Sequence, residues 1–368
     1  MMNAFEILLL CSLLAYSLEF LFFRIGLSKA DKAIKKNLSE PSVTIIVAAR
    51  NEEQNIEQCL ASLVLLEYPK DKMEILVIND HSTDKTFDIM TRFADQYSFL
   101  RVMEAEAESG NLRGKTNAIT QAIESSKGEI LLFTDADCIV SRAWVRDTVQ
   151  CFDEQTGVVG GFTILKANSL FEGIQALDWL ILFSTSSGTA GWKIPLTAIG
   201  NNLSVRRKAY EETGGYRKIP FSVTEDYALV RAILEKTEYK LQFPLLRNAF
   251  ISSYACDSWK QLYRQKQRWG IGGLDMITHG FLVFSVSWTM SLLILLGIVF
   301  SSFPVWISMV GTKIVIDTIY IFSLLNKIKR ISYLKYILLF EVYFTCYVIL
   351  IPFVALFSKN AVWKERKL

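Results

Sequence analysis

Long apolar runs occupy the two ends of the chain, and shorter apolar runs alternate with polar positions between them. The first long run, Ala4–Phe23, has the length of roughly 20 residues that a membrane-spanning helix needs. Three more runs of similar length follow near the other end, at 281–301, 305–325 and 333–357. The pattern therefore predicts a transmembrane anchor within residues 1–27 and transmembrane helices within residues 280–358.

The middle of the chain, residues 41–273, has the rhythm of an α/β domain. Short apolar runs begin at Val43, Glu74 and Leu100, and amphipathic stretches separate them. Continuous apolar runs of this length are typical of buried parallel strands, whereas the intervening stretches have helical spacing. The predicted fold class is therefore α/β, with a mixed and mostly parallel sheet, flanked by transmembrane helices.

A further strand-like run, which starts after Gly128, ends abruptly in two carboxylates, Asp135 and Asp137. Residues two apart on an extended chain point to the same side, so both carboxylates can reach one hard cation. A divalent cation, Mg²⁺ or Mn²⁺, is the expected cofactor, because it relieves the repulsion between the two charges and keeps positions open for substrate phosphates. The alternative is that these aspartates merely cap the following helix.

Polar residues also follow the first two predicted strands, with Arg50 and Glu52 after one strand and Asp80 after the next. In an open α/β sheet the carboxyl ends of the strands converge on one crevice. We therefore expect Glu52, Asp80 and Asp137 to share a site despite their separation in sequence.

Lys115 lies in the sequence Gly-Lys-Thr at the start of a predicted helix, where a phosphate-binding P-loop is the first interpretation to test. The match fails, because the interval between Gly110 and Gly114 is one residue too short for that motif. The ammonium could still meet a phosphate as a point charge at a helix start, and a solvated lysine is the alternative.

Two further clusters lie nearer to the C-terminal apolar runs. Thr224 could cap a helix and place Glu225 and Asp226 in its first turn, where the dipole favours anions, and capping alone would explain both acids. The second cluster is a basic aromatic segment just ahead of the first C-terminal span, and a juxtamembrane polybasic helix is its simpler explanation. Its residues of interest are Gln265, Arg268 and Trp269.

The segment Asn168–Phe183 is a heavily apolar helical stretch with aromatic residues. It is too short to span a membrane comfortably, so we expect a helix that lies in the membrane interface. A buried core helix is the alternative.

Composition adds the expected location. Hydrophobic residues make up 51% of the chain and charged residues 21%, and the formal net charge of +3 gives no indication of nucleic-acid binding. Lys29, Lys32, Lys35 and Lys36 follow the first apolar run, which favours a cytoplasmic side for the next domain. An integral protein of the bacterial inner membrane with a cytoplasmic catalytic domain is expected.

Four short motifs occur together in a fixed order: Asp80, then Asp135-Ala136-Asp137, then Thr224-Glu225-Asp226, then Gln265-Lys266-Gln267-Arg268-Trp269. This set resembles the family 2 glycosyltransferases of the GT-A fold, and specifically their membrane-embedded branch, which includes cellulose, hyaluronan and poly-N-acetylglucosamine synthases and ceramide glucosyltransferases. The resemblance covers about Pro41 to Gly273. One departure is Asn79-Asp80-His81, where many relatives have Asp-Asp-Gly, and this leaves the base specificity open.

The resemblance implies a GT-A domain that binds a nucleotide sugar, with a UDP-sugar as the expected donor. Asp80, together with the turn at Arg50 and Glu52, would contact the nucleoside. Asp135 would lie by the ribose or the sugar, and Asp137 would bind the divalent metal.

The remaining roles implied by the resemblance concern the acceptor side and the chemical step. Asp226 would be the general base that takes the proton of the acceptor hydroxyl, so that one displacement inverts the anomeric centre. Lys115 is placed with the donor-binding residues. Contacts to the acceptor or diphosphate are implied for Glu225, Gln265, Arg268 and Trp269.

The expected function is thus the transfer of a sugar from a nucleoside-diphosphate sugar to a membrane-associated acceptor, a lipid rather than a glycan, because three C-terminal spans leave limited material for a polymer channel. A processive polysaccharide synthase is the main alternative. An inactive membrane-bound sugar-nucleotide sensor is another. A dinucleotide-dependent oxidoreductase is disfavoured, since no G-x-G-x-x-G follows the first strand.

Overall fold

We analysed a computed structural model of the chain, which describes residues 2–34, 38–194, 196, 199–274 and 278–357, with two short strands beyond them. Lys35 and Lys36 of the predicted basic cluster lie outside the described residues. The chain divides into two compact units. The sheet unit comprises Ala30–Ile164 and Thr197–Tyr254, and the helical unit comprises Met1–Lys29, Leu165–Leu196 and Ala255–Leu368.

Within the described residues, the strands are β1 Val43–Ala49, β2 Met73–Asn79, β3 Leu100–Glu104, β4 Ile130–Asp135, β5 Ile139–Val140, β6 Thr156–Gly160, β7 Thr163–Leu165, β8 Leu203–Arg206, β9 Lys240–Gln242, β10 Ile251–Ser253, β11 Val362–Trp363 and β12 Arg366–Lys367. The helices are α1 Ala4–Ala33, α2 Ile56–Val64, α3 Thr86–Gln96, α4 Gly114–Glu124, α5 Trp144–Val149, α6 Leu170–Ala190, α7 Arg207–Glu212, α8 Glu225–Lys236, α9 Trp259–Gly273, α10 Thr278–Phe300, α11 Phe303–Lys327 and α12 Ile337–Phe357.

The sheet unit is built on a seven-stranded sheet of order β3-β2-β1-β4-β8-β6-β9, as far as the structure describes the chain. Strands β1 to β4 pair in parallel, whereas β8 runs antiparallel to both β4 and β6. The β-favouring runs at the centre of this sheet are buried on both faces, with Ile45 and Leu132 on one face and Ile46 and Leu131 on the other. The predicted mixed, mostly parallel sheet is confirmed.

The parallel register brings the carboxyl ends of the predicted strands to one edge. Ala49 is opposite Asn79 in the β1–β2 pairing, and Ala48 is opposite Asp135 in the β1–β4 pairing. The polar segments that follow these three strands therefore leave the sheet side by side. This is the arrangement on which the prediction of a shared site depends.

The helical unit contains four helices that are long and apolar enough to cross a membrane, among the residues described. The three C-terminal candidates, Thr278–Phe300, Phe303–Lys327 and Ile331–Phe357, follow the predicted spans closely. The first candidate is longer than predicted, because α1 continues past Phe23 to Ala33. Gly26 of α1 and Gly188 of α6 permit this continuation to pack, since a Cβ at Gly26 would lie 1.9 Å from the carbonyl oxygen of Gly188.

Helix α6 corresponds to the apolar segment that was expected at the membrane interface. Leu177 and Phe183 are fully buried, and the helix packs against α11 and α12. Ser169 caps it, accepting a hydrogen bond from the Glu172 amide, while the Glu172 side chain completes a capping box. Its burial favours the alternative, a core helix of the helical unit. Residues 165–196 and 255–273, which the predicted domain 41–273 included, belong to this unit as well.

Candidate active site

Four charged side chains meet in one pocket at the carboxyl edge of the sheet. Asp135 is the last residue of β4, Lys115 lies in the first turn of α4, and Glu225 and Asp226 open α8. The Lys115 ammonium lies 2.7 Å from Asp135 Oδ1 and 3.1 Å from Glu225 Oε1. The structure thus joins residues from two of the predicted motifs with Lys115, although more than 100 positions separate Lys115 from Glu225 in sequence.

Lys115 does not stand as a solvated lysine. Its side chain is 20% exposed, and it bridges two carboxylates. Burial disfavours its charged form, but Asp135 and Glu225 outweigh this effect and raise the pKa of the ammonium above its ordinary value. The lysine is therefore charged, and it partly neutralises the acidic pocket. Its contact with a donor phosphate stays a prediction.

Asp226 occupies a different electrostatic environment from its neighbours. Its Oδ2 accepts a hydrogen bond of 2.6 Å from the Gly200 amide, and its Oδ1 accepts one of 2.8 Å from the Tyr227 amide. Burial and the adjacent Glu225 raise its pKa to about 6, while Lys115 and the two amides act in the opposite direction. A carboxylate with such a pKa is ionised at neutral pH and is basic enough to accept a proton.

Helix α8 begins at Glu225, as the prediction of Thr224 as its N-cap requires. Thr224 occupies the N-cap position, but its side chain makes no capping hydrogen bond in the described structure. Its hydroxyl lies 3.2 Å from the Ser222 hydroxyl instead. The contacts of the acids in this turn are instead with Lys115, which pairs with Glu225, and with the Gly200 amide, which donates to Asp226.

Asp137 lies two residues beyond the end of β4 and fits a site for a divalent cation. Burial raises the pKa of the nearby Cys59 thiol, and the negative charges of Asp137, Asp135 and Glu52 raise it further. No group of three or more His, Cys, Asp or Glu side chains in the described part of the chain could hold a metal alone. One or two carboxylates suffice for Mg²⁺ or Mn²⁺ when substrate phosphates supply further oxygens, so the residues present fit such an ion.

The predicted nucleoside-binding residues lie in two loops that hydrogen bonds tie together. Arg50 Nη1 donates to the Asp80 carbonyl at 2.9 Å, and the Glu52 amide donates to Thr86 Oγ1 at 2.7 Å. The Asp80 side chain is 4% exposed, and its Oδ1 lies 3.3 Å from Nδ1 of His81. His81 has a φ of 56°, so the departure from the usual glycine places a side chain in the left-handed region.

The remaining predicted residues lie on α9 in the helical unit. Trp269 packs against Trp179 with 5.5 Å between the ring centroids. Gln265 Oε1 is buried and accepts no hydrogen bond from any residue that the structure describes. A buried amide oxygen without a partner is a group that a ligand hydroxyl or amide could satisfy. The approach of Gln265, Arg268 and Trp269 to the donor pocket stays a prediction.

Two groups at the site were not predicted. Gly200 donates its amide to Asp226, and a Cβ at this position would lie 3.2 Å from Asp226 Oδ2. Cys59 is buried, and its Sγ lies 3.6 Å from the Asp135 carbonyl oxygen at the end of β4. Nothing in the apolar pattern of α2 indicates that Cys59 lies near the site. Gly200 is different, because a glycine followed by two asparagines after a long apolar helix is a detectable break in the pattern.

Comparison with known proteins gives the class of the molecule. The family model described as Glycosyl transferase family 2 matches residues 44–214, and the model described as Glycosyl transferase family group 2 matches residues 130–359. The second match covers more than half of the chain. The chain belongs to the family 2 glycosyltransferases.

Individual relatives agree with this assignment. The β-monoglucosyldiacylglycerol synthase of Nostoc sp. strain PCC 7120 is 32% identical over 64% of this chain and 49% of its own length. The poly-β-1,6-N-acetyl-D-glucosamine synthase of Staphylococcus aureus strain COL is 26% identical over 72% of this chain and 63% of its own length. The chain thus spans about half to two thirds of the length of these relatives.

A solved structure resembles the whole fold. The mannosyltransferase PcManGT of Pyrobaculum calidifontis, in complex with GDP-Man and Mn²⁺, has a TM-score of 0.62 over 92% of this chain and 98% of its own. The sequence identity is 19%, so the likeness concerns the fold. The predicted GT-A fold with flanking apolar helices is confirmed.

Proposed function

We propose that this glycosyltransferase moves a sugar from a nucleoside-diphosphate sugar to a lipid, in a single displacement that inverts the anomeric centre. The observation that carries the proposal is the pairing of Asp226 with the charged network of Lys115, Asp135 and Glu225. The network supplies binding groups at the strand exits, and Asp226 supplies a base beside them. Asp135, Asp137 and Asp80 would bind the donor, as the family resemblance implies.

Asp226 would accept the proton of the acceptor hydroxyl as that oxygen attacks the anomeric carbon. The Gly200 amide, which donates to Oδ2 at 2.6 Å, holds the carboxylate in place. A second carboxylate acting as an acid is not needed, because the nucleoside diphosphate leaves as an anion.

A divalent cation would sit at Asp137, with Asp135 beside it, and would neutralise the charge of the departing diphosphate. Support comes from the hard oxygen ligands at this strand exit and from the Mn²⁺ bound to the mannosyltransferase of similar fold. Lys115 would share the task, since its ammonium already faces the same edge of the sheet. The Asp137→Ala variant should therefore lose metal-dependent donor binding.

The lipid acceptor is supported by two facts. Four helices are long and apolar enough to cross a membrane, and a relative that is 32% identical is a synthase of monoglucosyldiacylglycerol. A catalytic unit tethered at the cytoplasmic face of a bacterial inner membrane meets diacyl lipids without an extraction step. A UDP-sugar is the donor that we expect.

A second candidate, a processive polysaccharide synthase, is favoured by the relative that makes poly-β-1,6-N-acetyl-D-glucosamine. The two functions differ in their products. A lipid glycosyltransferase adds one sugar to a lipid and stops, whereas a synthase extends the product without releasing it.

The test incubates detergent-purified protein with a panel of nucleotide sugars and with vesicles that contain diacylglycerol or phospholipid, in the presence of Mg²⁺ or Mn²⁺. Release of nucleoside diphosphate and the mass of the lipid product are recorded. One added hexose on the lipid supports the proposal. A ladder of sugars, or elongation of soluble oligosaccharides without lipid, replaces it with the polysaccharide synthase.

Asp137→Ala serves as the metal control, and titration with Mn²⁺ and nucleoside diphosphate is its measurement. Asp153→Ala, at an aspartate in a loop away from the pocket, is a matched variant that should bind normally. Unchanged affinity and unchanged metal dependence in Asp137→Ala would remove that residue from the metal site.

A further inference from the structure

Lys266 lies inside the segment Gln265–Trp269, where a basic residue on a juxtamembrane helix would normally face water. In the structure its side chain is only 6% exposed. The neighbouring basic residues of α9, Lys260 and Arg264, are exposed instead. Burying an ammonium is costly unless a specific partner receives it, so its surroundings indicate a defined role.

The partner of Lys266 is Asp178 of α6, which is 7% exposed. The ammonium forms an ion pair with Asp178 Oδ2, and the hydroxyl of Tyr343 on α12 donates to the same oxygen at 3.1 Å. Three helices of the helical unit, α6, α9 and α12, therefore meet at one buried carboxylate.

The ammonium also faces two aromatic rings. It lies 4.4 Å from the centroid of Trp269 and 4.6 Å from that of Tyr347. A cation at such a distance from an indole in a desolvated site is attracted by the ring. Lys266 therefore contacts the tryptophan of its own motif directly, while Trp179 packs against that ring from α6.

The helical repeat extends this contact to the rest of the motif. An α-helix turns by about 100° per residue. Measured around the axis from Lys266, all in the same direction, the motif residues lie at roughly 60° for Trp269, 100° for Gln265 and 160° for Arg268. The ion pair with Asp178 holds the Lys266 side chain toward α6, and it thereby fixes the rotation of α9 about its own axis. The same rotation sets the directions in which Trp269, Gln265 and Arg268 point. Apolar residues of similar volume would hold the helices together as well, but they would not demand this one rotation.

We propose that Lys266, paired with Asp178, is a positioning residue that orients Trp269 and the neighbouring Gln265 and Arg268 for the acceptor. The inference rests on the proposed transfer reaction, in which these motif residues face the acceptor. Lys266 itself touches neither donor nor acceptor, and it acts through the ring and the helix that it holds.

The test must separate positioning from folding, because Lys266→Met alone leaves Asp178 buried without a counter-charge. The double variant Asp178→Asn, Lys266→Met removes both charges together and keeps the volume similar. Lys266→Arg keeps the charge, the cation–ring contact and the ion pair. Arg264→Gln, on the exposed side of the same helix, is the matched control.

Three quantities are measured for each variant: the melting temperature in detergent, the rate of donor hydrolysis by water, and the KM for lipid acceptor. The fluorescence of Trp269 is added, as the difference between each variant and the same variant carrying Trp269→Phe. We expect the double variant to keep its melting temperature and donor hydrolysis, while its acceptor KM rises roughly tenfold to a hundredfold and the Trp269 spectrum shifts. Lys266→Arg should recover most of the acceptor affinity.

An unchanged acceptor KM and an unchanged Trp269 spectrum in the stable double variant would overturn the proposal. A parallel fall of every activity with the melting temperature would also overturn it, because the pair would then serve folding alone. If the wild-type protein transfers sugar to no acceptor, the proposed function fails independently. The Trp269 spectrum then decides the positioning role without reference to transfer.

Discussion

The sheet unit and the helical unit each contain a lysine held between two carboxylates, and the two clusters have different surroundings. In the sheet unit, Lys115 bridges Asp135 and Glu225, whose side chains are 36% and 12% exposed. In the helical unit, Lys313 of α11 pairs with Asp317 at 2.8 Å and with Glu341 of α12, and all three side chains are at most 7% exposed. A lysine between two carboxylates thus occurs both in a pocket that water reaches and in a contact between helices that excludes water.

Access to solvent determines whether a ligand could replace the ion-pair partners of each lysine. A ligand could replace Asp135 or Glu225 as the partner of Lys115, because the pocket is open to solvent and water can hydrate the carboxylate that is released. Lys313 lies between helices, and Tyr16 of α1 donates to Asp317 at 2.9 Å, so the cluster joins three helices. Ionisable residues inside membrane helices are rare and demand partners. We therefore expect the first cluster to bind ligand and the second to hold helices together.

Removal of the buried lysine should have the most severe consequence. Lys313→Met leaves Asp317 and Glu341 buried without their counter-charge and should destabilise the protein by about 3–5 kcal/mol. Lys115→Met, in the partly exposed cluster, should destabilise the protein less than Lys313→Met while it abolishes productive donor binding. Thermal unfolding in detergent and donor titration of both variants provide the measurement.

A further variant distinguishes the loss of charge balance from loss of packing. Combining Lys313→Met with Asp317→Asn and Glu341→Gln removes all three charges and should restore most of the stability. Equal destabilisation by Lys313→Met and Lys115→Met would show that the two clusters do not differ in the way proposed.

The next largest effect concerns the base. Asp226→Asn should lower the transfer rate roughly 10²-fold or more, because an amide cannot accept the proton of the acceptor hydroxyl. Donor binding should persist, since an amide oxygen can still accept from the Gly200 amide. Transfer and donor affinity are measured on the same preparation.

The matched control for Asp226 is Asp88, an exposed acid in the first turn of α3. Asp88→Asn changes a helix-terminal carboxylate to an amide without touching the pocket, so its transfer rate should be normal. Near-normal turnover in Asp226→Asn as well would leave Asp226 with no role beyond the helix terminus.

A smaller, graded effect comes from pH. Because burial and Glu225 raise the Asp226 pKa to about 6, the base is ionised above that pH and protonated below it. Activity should therefore be lost as pH falls, and kcat/KM for the acceptor should decline roughly tenfold per unit below about pH 6. Donor affinity, measured over the same range, separates this effect from titration of donor-binding groups. A flat profile down to pH 5 would contradict the assignment.

The sheet was predictable because its strands carry a strong local signal. Apolar runs that end in polar residues, such as the one that ends at Asp135, specify a buried strand and its exit. Helix α6 shows the limit of that signal, since a run such as Leu177–Phe183 is equally apolar in an interface and in a core. Only the packing of α11 and α12 around it distinguishes the two environments.

The four charged residues of the pocket were among the residues predicted for the site, but their contacts were not predictable. The convergence of parallel strand exits predicts that Glu52, Asp80 and Asp137 share one crevice, and the family resemblance adds Lys115, Asp135 and Asp226 to the site. The sequence does not indicate that Lys115 bridges two carboxylates, or that a backbone amide of Gly200 holds Asp226. Those contacts depend on loop paths between distant segments, for which periodicity carries no information.

A weaker effect is expected at two helix starts, one in each unit. Ser169 accepts a hydrogen bond from the Glu172 amide at the start of α6, whereas the Thr224 side chain makes no such bond at the start of α8. Ser169→Ala should therefore cost about 1 kcal/mol and Thr224→Ala less than about half of that. Thermal unfolding of the two variants measures the difference. A larger loss in Thr224→Ala would mean that its hydroxyl caps α8 after all, and that the acids of that turn owe their position to the cap rather than to Lys115 and Gly200.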